Sequence, residues 1–96
     1  MNYSIYINEF RKENWDNYLI LCDQLLEEII DMISKQEFEQ LIPDDVRKVA
    51  CYKLKSNAAS WFLQELPILD FVRPIDLLES HEGLTTVKEL LLRMPL

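Results

Sequence analysis

Glycine is nearly missing from this chain: Gly83 is the single one in 96 residues. A phosphate-cradling loop needs several glycines to bring backbone N–H groups close to an anion, so that route to nucleotide binding is excluded. One glycine and four prolines are also too few turn residues for a fold of many short strands. The two cysteines, Cys22 and Cys51, lack both the close pairing of a zinc site and the density of a disulfide scaffold, and read as reduced core thiols. No apolar run approaches the roughly 20 residues that span a bilayer. The chain also opens without a basic leader and cleavage site, so a soluble, cytoplasmic protein with no membrane partner is expected. Basic residues are scarce as well. Ten Lys and Arg stand against 17 Asp and Glu, a formal net charge of -7, and such a field repels nucleic acid.

The composition is 49% hydrophobic and 28% charged, ordinary for a globular chain and too apolar for disorder. Its length predicts one domain over residues 1–96, with a modest core. Charge divides it unevenly. Residues 1–45 hold eleven acidic and three basic side chains, and residues 46–96 hold six and seven. The first part is expected to be an acidic helical segment that mediates dimerisation, and the second to carry recognition.

Apolar spacing predicts an all-α fold of two long helices, a connector and two C-terminal helices. Trp15, Tyr18, Cys22, Leu25, Ile29 and Met32 follow a 3-4-3-4-3 spacing, with Leu19, Leu26 and Ile33 widening the stripe. This helix is expected to start near a cap at Asn14 and to weaken at Ser34–Lys35. Its stripe is broad enough to suggest a second copy of the chain as cover, with Trp15, Cys22, Leu25 and Ile29 as dimer contacts. The preceding YSIYINEF shows a weak period of two and reads as an arm or a frayed terminus. QEFEQLI reads as a short helical connector. Pro43, followed by Asp44 and Asp45, opens a second long helix that is expected to run until Pro67. Pro74 opens a short helix to Ser80, Gly83 separates it from the last helix, and Thr85 or Thr86 caps that helix.

Residues with chemical potential are few. His81 has Glu79 and Glu82 nearby in sequence but no evident nucleophile, and reads as a surface histidine. Asp23, Glu27 and Asp31 recur at helical spacing without a histidine and read as a solvated face. No catalytic, cofactor or metal site is therefore expected. Arg47, Lys48, Lys53 and Lys55 form a basic stretch, and the alternative functional reading is a small DNA-binding regulator using this patch.

The run AASWFLQELPILDFVRPIDLLESHEGLTTVKELLLRM carries Ala59, Trp61, Pro74, Ile75, Asp76, Leu77, Leu78, Gly83, Val87, Leu90 and Leu91 in ordered spacing. It resembles the toxin-binding domain of the Xre/MbcA/ParS antitoxin family. The resemblance implies an all-helical antitoxin that is no enzyme, forms dimers, and neutralises an NAD-consuming toxin of the RES-domain type by covering its active site. Partner contacts are expected from Arg47, Lys53, Lys55, Arg73, Glu82, Lys88 and Arg93. Asp70 and Phe71 stand where members of the family often carry glycine. The helix-turn-helix found at the front of Xre members is not recognisable here.

Overall fold

The computed structural model describes residues 3–95, and the fold is all-α. Its centre is α4 (Asp44–Leu54). Pro43 precedes the first turn, where Asp44 and Asp45 complement the positive end of the helix dipole. Val46, Val49, Ala50 and Cys51 are fully buried on it. These small side chains let α2 (Lys12–Gln24), α3 (Leu26–Ser34), α5 (Ala58–Trp61) and α7 (His81–Arg93) all pack against it. α1 (Ser4–Glu9) and α6 (Pro74–Leu77) pack in turn on α7. One buried cluster runs from Tyr6 to Leu91. Full burial of a side chain such as Phe62, Leu69 or Leu91 stabilises the fold by about 1.5–3 kcal/mol.

The structure corrects the expected element boundaries, and each correction has a local cause. The opening segment is a helix: Tyr6 is buried and Ile5 exposed, the reverse of the two-residue alternation. Tyr6 lies under the Arg93 guanidinium, 4.8 Å from ring centroid to carbon, so packing on α7 overrides the weak strand pattern. The next helix begins at Lys12, with Arg11 rather than Asn14 before it. It is interrupted at Leu25, whose φ of -118° and ψ of 29° leave the helical region. The bend lets α2 and α3 both reach α4.

QEFEQLI is not helical. Side chains satisfy its backbone instead: Arg47 donates through Nε to the Ile42 carbonyl at 2.9 Å and through Nη2 to that of Glu39 at 3.0 Å. The second long helix ends at Leu54, far short of Pro67. Lys55 takes a φ of 55°, and a 3₁₀ turn of Lys55–Asn57 leads into the single turn of α5. Gln36 holds this break open. Its amide nitrogen donates to the Lys55 carbonyl at 3.0 Å and to that of Met32 at 3.1 Å, while its amide oxygen accepts the Ala59 N–H at 2.8 Å. α6 closes at Leu77 rather than Ser80. Ser80 caps α7, its hydroxyl oxygen accepting the Gly83 N–H at 2.9 Å. Thr85 and Thr86 lie inside that helix and donate to the carbonyls of His81 and Glu82. Gly83 therefore lies within the last helix and does not precede it.

Candidate functional site

The residues singled out between Ala59 and Gly83 form one hydrogen-bonded unit. Ala58 and Phe62 are fully buried and Trp61 nearly so. The Trp61 and Phe62 rings meet edge to face at 5.0 Å, a favourable quadrupolar arrangement. The Phe62 carbonyl accepts the Ile75 N–H at 3.0 Å, which ties the start of α6 to the end of α5. Pro74 occupies the first turn of α6, where its missing N–H costs no bond. Arg73 donates to both carboxylate oxygens of Asp76, each at 3.0 Å. Hydrogen bonding from Arg73 holds the Asp76 carboxyl below its ordinary range. Leu78 is buried and Leu77 half-buried. A Cβ on Gly83 would stand 1.9 Å from the Leu77 carbonyl oxygen, so only glycine allows α7 to approach the end of α6.

Between α5 and α6 the chain makes a tight turn built on a 3₁₀ segment, Pro67–Leu69. The Leu66 carbonyl accepts N–H groups from Leu69 at 2.9 Å and Phe71 at 2.8 Å, and the Leu66 N–H donates to Val72 at 3.3 Å. Leu69 is fully buried, and its carbonyl accepts the Tyr3 hydroxyl at 3.1 Å. Asp70 and Phe71 both have left-handed backbones, with φ of 58° and 63°. The turn exposes Ile68 and Phe71, and Leu63 is exposed just before it. No apolar period singles out these three residues, because they lie in the irregular segment between α5 and α6. The legible signal is that Asp70 and Phe71 replace glycine in the resemblance.

The expected partner-binding residues are scattered, and several are committed inside the chain. Lys53 is only 8% exposed. It donates to the Tyr18 hydroxyl at 3.1 Å and to the carbonyls of Leu92 and Met94. Burial on the α7-facing side, where those carbonyls need a donor, replaces the exposed position expected for it. Arg47 serves the connector carbonyls, and Lys55 donates to the Tyr52 carbonyl at 2.8 Å. Residues 47–55 thus do not present these three cations as one patch. Arg73 is paired with Asp76. Lys88 lies over the Trp15 ring, 5.2 Å from its centroid, and 3.6 Å from Asp45. Arg93 bridges Glu9 and Glu89. Glu82 is exposed in the first turn of α7.

Of the four expected dimer residues, Trp15, Cys22 and Ile29 are buried within the chain, and Leu25 is 42% exposed. Trp15 donates its indole N–H to Asp45 at 3.0 Å. The stripe is therefore covered largely by α4. Exposed apolar residues on this pair of helices are Ile20, Leu21, Leu25 and Ile30.

His81 sits at the exposed start of α7, beside a groove of about 460 Å³ that Asp16, Asp45, Glu82 and Lys88 also line. Asp45 is occupied by Trp15 and Lys88, and the groove brings His81 neither serine nor cysteine. Both cysteines are buried and free. Burial, with the charge of Asp23, pushes the Cys22 thiol up to about 11, and burial with the neighbouring Cys22 does the same to Cys51. Such thiols are poor nucleophiles. Among the described residues, no group of three or more His, Cys, Asp or Glu is placed to hold a metal ion, and no helix is long and apolar enough to cross a membrane. No family model, curated protein or solved structure matches the chain.

Proposed function

We propose that this chain is the antitoxin of a toxin–antitoxin pair, a cytoplasmic, non-catalytic module that binds an NAD-consuming enzyme of the RES-domain type and covers its active site. The observation that supports this reading is the coherence of the Ala59–Gly83 unit. The residues that carry the resemblance have distinct and mutually dependent structural roles there. Pro74 starts α6, Leu78 buries it, and Gly83 admits α7. Asp70 and Phe71, at the positions where the resemblance implies glycine, have backbones that glycine adopts most readily. The reading carries with it a homodimer through the N-terminal half, for which Leu25 and its exposed neighbours on α2 and α3 are the available surface.

The test is to read the gene adjacent to this chain's own, which the proposal expects to encode a RES-domain enzyme, and to co-express the two, reading cell growth and cellular NAD. Expression of the enzyme alone should arrest growth and deplete NAD, and adding this chain should restore both. Unchanged NAD loss, with the chain folded and abundant, would sink the proposal.

A further inference from the structure

The Phe71 backbone has a φ of 63° and follows Asp70 at 58°. Aspartate enters this region fairly readily, whereas a bulky side chain there crowds its own backbone and is an outlier. The turn leaves Phe71 no alternative. Releasing its φ would break the 2.8 Å bond from its N–H to the Leu66 carbonyl and disturb the pairing of Leu66 with Val72. Leu69, buried and held by Tyr3, fixes the other side. The strain is thus imposed by a built frame. Its side chain returns little to the fold, because Phe71 is 63% exposed, the most of any large hydrophobic residue among those described. Glycine would serve the monomer better in both backbone and exposure.

Strain held at an exposed aromatic directs attention outside the monomer. We propose that Phe71 is the anchor by which this chain enters an apolar pocket, rimmed by basic groups, on its partner protein. This rests on the functional reading above and assigns its contact. Ile68 offers further exposed apolar surface on the same turn. The charges of the segment are acidic: Glu65, Asp70 and Asp76 against Arg73, whose guanidinium is already bidentate on Asp76. A second copy docking turn to turn would set like charges against each other, and a phosphate backbone would be repelled. A protein pocket with a basic rim is the complement. A clamped turn also holds the aromatic in place before contact, which reduces the ordering needed on binding.

Phe71→Gly, Phe71→Asn and Phe71→Tyr test the assignment, with melting curves of the free chain and binding to the purified RES-domain enzyme measured together. Phe71→Gly should melt at or above the parent temperature, since it relieves the left-handed strain. Its affinity should fall by roughly thirtyfold, the scale of a binding hot spot, mainly through faster dissociation. Phe71→Asn, which tolerates the same backbone, should lose affinity similarly, and Phe71→Tyr should keep it within roughly threefold. A large drop in melting temperature for both Gly and Asn variants would make Phe71 a fold residue and overturn the assignment. Unimpaired binding by those variants would overturn the anchor alone. Failure of the parent chain to bind would instead overturn the functional reading, and with it the occupant of this site.

Discussion

At Gly83 the difference between a hydrogen and a methyl group decides whether α6 and α7 fit together. The Leu77 carbonyl oxygen and the Ser80 hydroxyl lie 1.9 and 2.9 Å from where a Cβ would stand, and the first of these is backbone that cannot swing aside. Gly83→Ala should therefore cost about 3 kcal/mol or more, at or beyond the upper end of ordinary overpacking, as measured by denaturant unfolding. Leu78→Ala should cost about 2–5 kcal/mol by leaving a cavity. Pro43 and Pro74 were legible, because they act through a fixed φ and a missing N–H that depend on nothing distant, whereas Pro67, expected to end the second long helix, opens a 3₁₀ segment well beyond its end. Gly83 was not. A lone glycine in sequence suggests a turn, but this one has no positive φ, and its role comes from a close approach between helices that no spacing reveals. The cysteines were legible as core residues, since their isolation left little else for them to be.

The amphipathic stripes of α2–α3, α4 and α7 could be read because a 3.6-residue period is local. Their interruptions could not, because Gln36 and the packing onto α4 impose them from elsewhere in the chain. The same limit applied to the partner surface. The cations of residues 47–55 were read together as one basic stretch, and Lys53 turned inward to reach carbonyls at the end of α7. α7 itself supplies Val87, Leu90 and Leu91 to the core, so removing the chain after Gly83 would unfold it, and surface substitutions are the proper probe of recognition. For the α2–α3 surface, Ile29→Asp places a charge in a site 1% exposed and should unfold the chain. Leu25→Asp, at an exposed site, should melt within a few degrees of the parent, while light scattering falls from about twice the 11.5 kDa chain mass to that mass. A parent chain that scatters as a monomer at high concentration would remove the dimer from the proposal.

Across the whole molecule, acidity was legible as a count and as an excess in the first 45 residues, but the count could not say which cations were free. Its pH response depends on groups the count ignores. The Cys22 and Cys51 thiols titrate at about 11 in the fold against an ordinary value of 9.0, and burial, then Asp70, raises the Tyr3 hydroxyl in the same direction. A folded pKa above the unfolded one means that the native state retains protons the unfolded chain has released. The stabilisation is complete below pH 9 and is lost as pH rises toward 11. Denaturation midpoints should hold from pH 7 to about 9 and then decline. A Cys22→Ala, Cys51→Ala double variant, less stable at neutral pH, should decline less over the same interval. A parallel decline in both proteins would assign the alkaline loss to other groups.

Gln36 joins two places that are distant along the chain, the end of α3 and the break between α4 and α5, through a single amide. Neither can loosen without withdrawing hydrogen-bond partners from the other. Solvent access to the Ala59 amide is therefore expected to require the same event that frees the connector, and hydrogen exchange should find the two segments opening as one cooperative unit. The Ala59–Gly83 unit is thus held at its start by a residue outside it, in the acidic half of the chain.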